Sequence, residues 1–105
     1  MDDCIFCKVI AGAFGTEFLY QDKDCVIFRD INPKAKTHLL IVPRKHIPSV
    51  AHVEPKDKLN MGHLIWAAKK IGEDLGLKAY KLQIHVGKEA SQEVFHLHVH
   101  LMSNF

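Results

Sequence analysis

Residues 96–102 read His-Leu-His-Val-His-Leu-Met, three imidazoles alternating with apolar side chains. Successive side chains of a strand point to opposite faces. The pattern therefore predicts a strand with His96, His98 and His100 on one face and Leu97, Val99 and Leu101 in a core on the other. A helix would scatter the same rings around its circumference. A neutral imidazole is a nucleophile, a general base or a metal ligand. Adjacent like charges oppose protonation of all three rings, so at least one stays neutral near pH 7, as a nucleophile must. The other two are left to donate hydrogen bonds to an anion such as phosphate. A metal site built on His-x-His is the rival reading, and it needs a carboxylate or sulfur ligand from elsewhere in the chain.

The chain that must position these rings has 105 residues, 48% of them hydrophobic. That suits one domain, residues 1–105, with a modest core. No window resembles a transmembrane span or a secretory signal, so no membrane partner and a cytoplasmic location are expected. The formal charge of +2 is small and the lysines are dispersed, which argues against a nucleic-acid polymer as partner. Three cysteines are an odd number for a disulfide framework. Cys4 and Cys7 form a C-x-x-C pair, which reads as metal ligands, as a redox motif, or as two small residues on an N-terminal turn. Cys25 lies in an apolar stretch and belongs to the core.

The elements follow from periodicity. Residues 4–10 read as a short helix with Ile5, Phe6 and Val9 inward and Gly12 ending it. Residues 17–21 and 25–29 are two strands joined by the turn Asp22-Lys23-Asp24. Asp30-Ile31-Asn32-Pro33 is a loop. Residues 38–42, a continuous apolar run stopped by Pro43, predict a strand buried on both faces. Residues 55–75 form the long helix, with Met61, Leu64, Ala68, Ile71 and Leu75 as its apolar stripe. Gly62 and Gly72 within it permit close packing against a sheet or a second subunit, and Gly76 caps it. Residues 80–86 and 94–102 are the last two strands, with a polar loop at 87–93. The expected fold class is α+β, an antiparallel five-stranded meander with the long helix on one face. His52 and His63 have no such context and are assigned to the surface.

The pattern His96-Leu97-His98-Val99-His100-Leu101-Met102 resembles the signature of the histidine triad (HIT) family. Cys4-Ile5-Phe6-Cys7-Lys8, Phe28-Arg29-Asp30-Ile31-Asn32-Pro33 and Thr37-His38-Leu39-Leu40-Ile41-Val42-Pro43-Arg44-Lys45-His46-Ile47 resemble its other blocks, in the family's order. The branch most similar is that of the histidine triad nucleotide-binding proteins. The resemblance implies a homodimer whose sheets join, and hydrolysis of purine nucleoside phosphoramidates such as adenosine 5′-phosphoramidate. It implies that His98 attacks the α-phosphorus to form a nucleotidyl-histidine, held by a backbone carbonyl near His96. His100 and His38 would contact phosphoryl oxygens and pass a proton to the leaving amine. Asp30 would take the ribose hydroxyls, and Ile31, with Ile10 and Phe28, would sandwich the base.

The loop before the signature departs from the family pattern. His85 replaces an Asn, and Ser91-Gln92-Glu93 stands where Gly-Gln-Ser or Gly-Gln-Thr is usual. Gln92 would still donate to the phosphate or leaving group, and a protonated His85 would serve as a phosphate donor. Glu93 brings a carboxylate to an anion site, so it must turn away, take a proton, act through its amide or meet a leaving-group amine. The end at Phe105, soon after the signature, implies a more open pocket than in relatives with a C-terminal extension.

Some relatives hold a structural zinc, and the matching residues are Cys4, Cys7, His46 and His96, a tetrahedral S2N2 set. One such zinc per subunit is the only cofactor expected. Two further readings stay open: a nucleotide-binding regulatory or scaffold module with little turnover, and a metalloenzyme in which His96, His98 and His100 share a catalytic metal.

Overall fold

The computed structural model describes residues 3–104. The expectation attached to the chain's end at Phe105 lies outside the described residues. Helix α1 (Ile5–Ile10) is followed by β1 (Tyr20–Gln21), β2 (Cys25–Arg29), β3 (Thr37–Pro43), α2 (Lys58–Asp74), β4 (Lys81–Gln83) and β5 (Val99–Ser103). The sheet is antiparallel with spatial order β1-β2-β3-β5-β4. It is therefore not a simple meander: β5 slots between β3 and β4 and carries the histidine segment to the sheet's interior.

Strand β3 explains the continuous apolar run. Leu39 and Ile41 enter one core with Cys25, Ile27, Leu97, Val99, Leu101 and the α2 residues Leu64, Ala67, Ala68 and Ile71. Leu40 and Val42 enter a second core with Val26, Phe28 and the α1 residues Phe6 and Val9. Each pleat face is thus covered, as alternation requires of a strand buried on both sides. The short helix α1 covers only part of its face, and the uncovered remainder is where the site forms.

Several boundaries differ from the sequence expectation. The strand expected at 94–102 is paired only from Val99 onward. Upstream, the Leu97 amide bonds the Ile47 carbonyl at 2.6 Å, so this stretch leaves the sheet and pairs with the segment after β3. Burial does not alternate there: His96, Leu97 and His98 are all buried, because the stretch is covered on both sides without a ladder. The strand expected at 80–86 shortens to Lys81–Gln83, whose last pair is Gln83 with His100 near the end of β5. The strand expected at 17–21 shortens to Tyr20–Gln21. Its turn is as expected: the Asp22 carboxylate accepts from the amides of Asp24 and Cys25 at 2.8 and 2.9 Å.

The long helix opens with a 3₁₀ turn at Pro55–Asp57, where proline's missing N–H costs nothing. Leu75 is exposed, so the apolar stripe ends at Ile71. Gly76 has φ +67°, and the Leu77 amide reaches back to the Gly72 carbonyl at 2.9 Å, a helix stop that glycine favours. At Gly72 a Cβ would lie 2.9 Å from Tyr80 Cε2, so this glycine does serve close packing within the chain. Ile5 is exposed, leaving Phe6 and Val9 as the inward face of α1. His63 is not a free surface residue: it bonds Asp22 at 2.6 Å and stacks on Trp66.

Candidate active site

The uncovered part of the α1 face is a cavity of about 950 Å3. Phe6, Phe28 and Leu40 supply apolar wall, while His38, His85, His98 and His100 bring four imidazoles to it. Even-numbered residues of β3 and β5 share this face, which is why His38 and His100 meet across the ladder.

His98 is buried, and its Nδ1 lies 2.7 Å from the His96 backbone carbonyl. A carbonyl only accepts, so Nδ1 carries the proton and Nε2 is bare. Burial pushes the His98 pKa down, which keeps the ring neutral. Phe6 presents a ring edge-on at 5.0 Å and fixes the imidazole plane.

Hydrogen bonding also assigns the next pair. The Lys34 amide donates to His38 Nδ1 at 3.0 Å, so His38 carries its proton on Nε2. That Nε2–H donates to His100 Nδ1 at 2.9 Å and faces Asp30 Oδ2 at 3.5 Å. His100 must then hold its proton on Nε2, which is buried and has no partner among the described residues. Burial, then the imidazoles of His98, His85 and His38, push the His100 pKa down to about 4. The expectation was that His38 and His100 contact phosphoryl oxygens and pass a proton to the leaving amine; the structure aligns the two rings in one donor–acceptor series. Each ring donates through Nε2, His38 to His100 and His100 toward the cavity, and removal of that single proton from either ring would leave an imidazolate.

His85 stacks on His100 with ring centroids 4.6 Å apart and planes at 27°. Asp30 lines the cavity, with Oδ1 accepting from the Asn32 amide at 2.8 Å. Ile31 lines it and is almost fully exposed. Ile10 is not part of the lining: it packs against the α1 core instead, so a base sandwich would involve Phe28 and Ile31 without it.

Ser91 and Glu93 line the cavity, but Gln92 between them does not. Its amide group donates to the carbonyls of Pro48 and Val94 at 2.7 and 3.0 Å, and its oxygen accepts from the Gly87 amide at 2.9 Å. Gln92 is therefore a loop staple and not the expected donor to phosphate. Two backbone carbonyls already occupy its NH2, and the loop it pins presents its neighbours to the cavity. Ser91 has φ +72°, an uncommon conformation for serine that the staple helps hold.

His96 faces elsewhere. Cys4, Cys7, His46 and His96 bring four ligand atoms within 4.8 Å of one another and could hold a metal ion. The His96 Nε2 donates to the Pro43 carbonyl at 2.7 Å, which leaves Nδ1 bare toward Cys4 Sγ, Cys7 Sγ and His46 Nδ1 at 3.4, 3.5 and 3.2 Å. An acceptor on the far ring nitrogen is the usual second-shell support of a metal-bound histidine. Two thiols and two bare or tautomerisable imidazole nitrogens facing one another are the donor set zinc takes, so the residues fit. The same geometry removes the reading of one metal shared by His96, His98 and His100, because the His96 ring turns toward the cysteines. Sequence reasoning missed the Lys34 amide, the Pro43 carbonyl and the Gln92 staple. All are contacts to backbone, which leave no residue-type signature.

Fold and site together define an α+β protein built around a cavity of hydrogen-bonded histidines. The family model described as HIT domain matches residues 13–105. Protein HitA of Neisseria gonorrhoeae is 42% identical over 103 residues, which cover 97% of this chain and 96% of that protein. The purine nucleoside phosphoramidase of Escherichia coli (strain K12) is 37% identical over 103 residues, covering 96% of this chain and 87% of its own length. A HIT family hydrolase from Clostridium thermocellum has a solved structure with TM-score 0.96 and 36% identity, covering 100% of this chain and 93% of that one. The chain belongs to the HIT-domain family.

Proposed function

We propose that this protein is a hydrolase of purine nucleoside phosphoramidates or related nucleoside phosphate conjugates, acting through a nucleotidyl-histidine. The observation that carries the reading is the bond from His98 Nδ1–H to the His96 carbonyl, which leaves a neutral ring with Nε2 bare at a cavity of nucleotide size. The relatives named as hydrolase and as purine nucleoside phosphoramidase support the same class. Nε2 attacks the α-phosphorus and the bond to the leaving group breaks. Water then attacks the nucleotidyl-histidine and releases the nucleoside monophosphate. The orphan Nε2–H of His100 takes a phosphoryl oxygen as its acceptor, which relieves a buried unsatisfied donor and stabilises negative charge on the group in transfer. Asp30 accepts from the ribose, and Ile31 and Phe28 flank the base. Ser91 and Glu93 border the phosphate end.

Zinc would be held by Cys4, Cys7, His46 and His96, and when bound it would supply a structural cross-link between α1 and the segment before β5. A cytoplasmic location goes with this reading, since the ligand thiols must stay reduced. Among the described residues no helix is long and apolar enough to cross a membrane. We further propose a homodimer joined at β4. Among the described residues that strand pairs only with β5, and Leu82 and Ile84 at this edge are each more than a third exposed.

The test is turnover of adenosine 5′-phosphoramidate with quench and mass spectrometry. Wild type should accumulate a mass increment of one nucleotidyl group on the peptide holding His98, and His98→Ala should show neither adduct nor turnover. Tight binding of adenosine monophosphate without turnover would instead favour the regulatory-module reading, for which the Glu93 carboxylate in the cavity speaks.

A further inference from the structure

The proton balance of this site does not close on the triad and its partner His38. When a phosphoramidate is cleaved, the departing nitrogen must take a proton as it takes the bond electrons. His98 Nδ1–H is held by the His96 carbonyl and stays on the ring as Nε2 bonds phosphorus. His38 and His100 carry one proton each, and the Lys34 amide at one end fixes that arrangement. Neither can release a proton without becoming an imidazolate. The acid must be a further group that lines the cavity and can carry an extra proton.

His85 is the remaining imidazole of the lining. It sits two residues beyond β4, half-buried, with its ring against that of His100 and within electrostatic reach of His98. Among the described residues its one side-chain hydrogen-bond contact is Nε2 to Gln83 Oε1 at 3.5 Å, so no strong bond commits its tautomer. The other charged or titratable groups lining the cavity are His98 and His100 from the histidine segment, His38 from β3, Arg29 at the end of β2, Asp30 and Lys34 from the loop after it, Tyr80 and Lys81 at β4, and Glu93. Ammonium groups ordinarily hold their protons to about pH 10, and carboxylic acids have ordinarily lost theirs near neutrality. Imidazole is the side chain that gains and gives a proton in between.

We infer that His85 is a catalytic residue of this chain, the general acid that protonates the leaving nitrogen. The inference rests on the nucleotidyl-transfer reading above. In the first step His98 Nε2 forms a bond to phosphorus while the phosphorus–nitrogen bond breaks. The bond electrons and the proton of the His85 imidazolium go to nitrogen, and a neutral amine leaves. In the second step water bonds to phosphorus, the His98–phosphorus electrons return to Nε2, and a water proton returns to His85. The residue expected from the family pattern at this position, an Asn, could donate a hydrogen bond but not a proton. His85 thus turns a binding position into an acid and favours conjugates with poor, basic leaving groups.

The experiment compares two conjugates of one nucleotide. Adenosine 5′-phosphoramidate needs a proton to expel its amine, while the p-nitrophenyl ester of adenosine monophosphate expels a stabilised phenolate without one. The readout is the ratio of kcat/KM for amide over ester in wild type and His85→Asn. Loss of folded protein cancels in that ratio. We expect it to fall about a hundredfold, the usual worth of a positioned acid. An unchanged ratio, with both substrates slowed alike, would overturn the acid role and leave His85 as a phosphate contact, with the nucleotidyl-transfer reading intact. Failure of wild type to cleave either substrate would overturn both readings.

Discussion

The backbone carbonyl of His96 accepts the Nδ1–H of His98 at 2.7 Å, while the His96 ring, on the same residue, completes the Cys4–Cys7–His46 cluster. One residue therefore serves two neighbouring sites with two different parts. The carbonyl fixes the tautomer of the nucleophile, and the side chain anchors the segment from which that carbonyl projects.

That division separates two substitutions. His98→Ala removes the bare nitrogen and should lower turnover about a thousandfold or more, with a modest change in stability. His96→Ala keeps the carbonyl but deletes a buried ring bonded to Pro43. Its main effect should be a loss of about 2–4 kcal/mol in urea unfolding, with residual turnover well above that of His98→Ala. Equal catalytic loss in both variants would contradict the assignment.

Metal should bind at one equivalent per chain. Elemental analysis of protein purified without chelator should give one zinc, and Cys4→Ser with Cys7→Ser should abolish it. Chelator should lower Tm, because a ligand that binds only the folded state stabilises it by mass action. Turnover below the new Tm should persist, since no catalytic step runs through the cluster.

The helix glycines should respond in opposite directions. Gly72→Ala places a Cβ 2.9 Å from the Tyr80 ring and should cost about 1–3 kcal/mol. Gly62 has nothing within 4 Å of its notional Cβ, so Gly62→Ala should gain up to about 1 kcal/mol from helix propensity alone. Thermal melts of both variants decide this. A destabilised Gly62→Ala would indicate that a second subunit packs there.

Acid should destabilise the fold from a higher pH than carboxylates alone explain. Burial and the neighbouring imidazoles hold His100 at about 4 in the folded chain, against an ordinary histidine value of about 6.5 when unfolded. Between these values the unfolded chain binds more protons, so stability falls as pH drops through that window and is fully present above it. The urea midpoint should decline from about pH 6.5 toward 4, and His100→Gln should flatten that decline.

Much of this protein is written in local sequence. The His-φ-His-φ-His alternation, the apolar run of β3 and the stripe Leu64-Ala68-Ile71 each declare a face, because side-chain direction follows from backbone period. The Asp22-Lys23-Asp24 turn and the glycine stop at Gly76 declare themselves by residue type.

What required the tertiary structure is which group meets which. Alternation predicts a shared face for His96, His98 and His100, yet the Leu97–Ile47 bond draws the chain out of the sheet and turns the His96 ring to the cysteines. Gln92 as a residue letter says nothing of its three backbone partners, nor does His85 of the ring stacked on it from His100. Tautomers are decided the same way: a lone nitrogen of His38 is silent until the Lys34 amide is seen to point at it. Period and residue type act over a few neighbours along the chain, whereas proton placement depends on carbonyls and amides brought close only by folding.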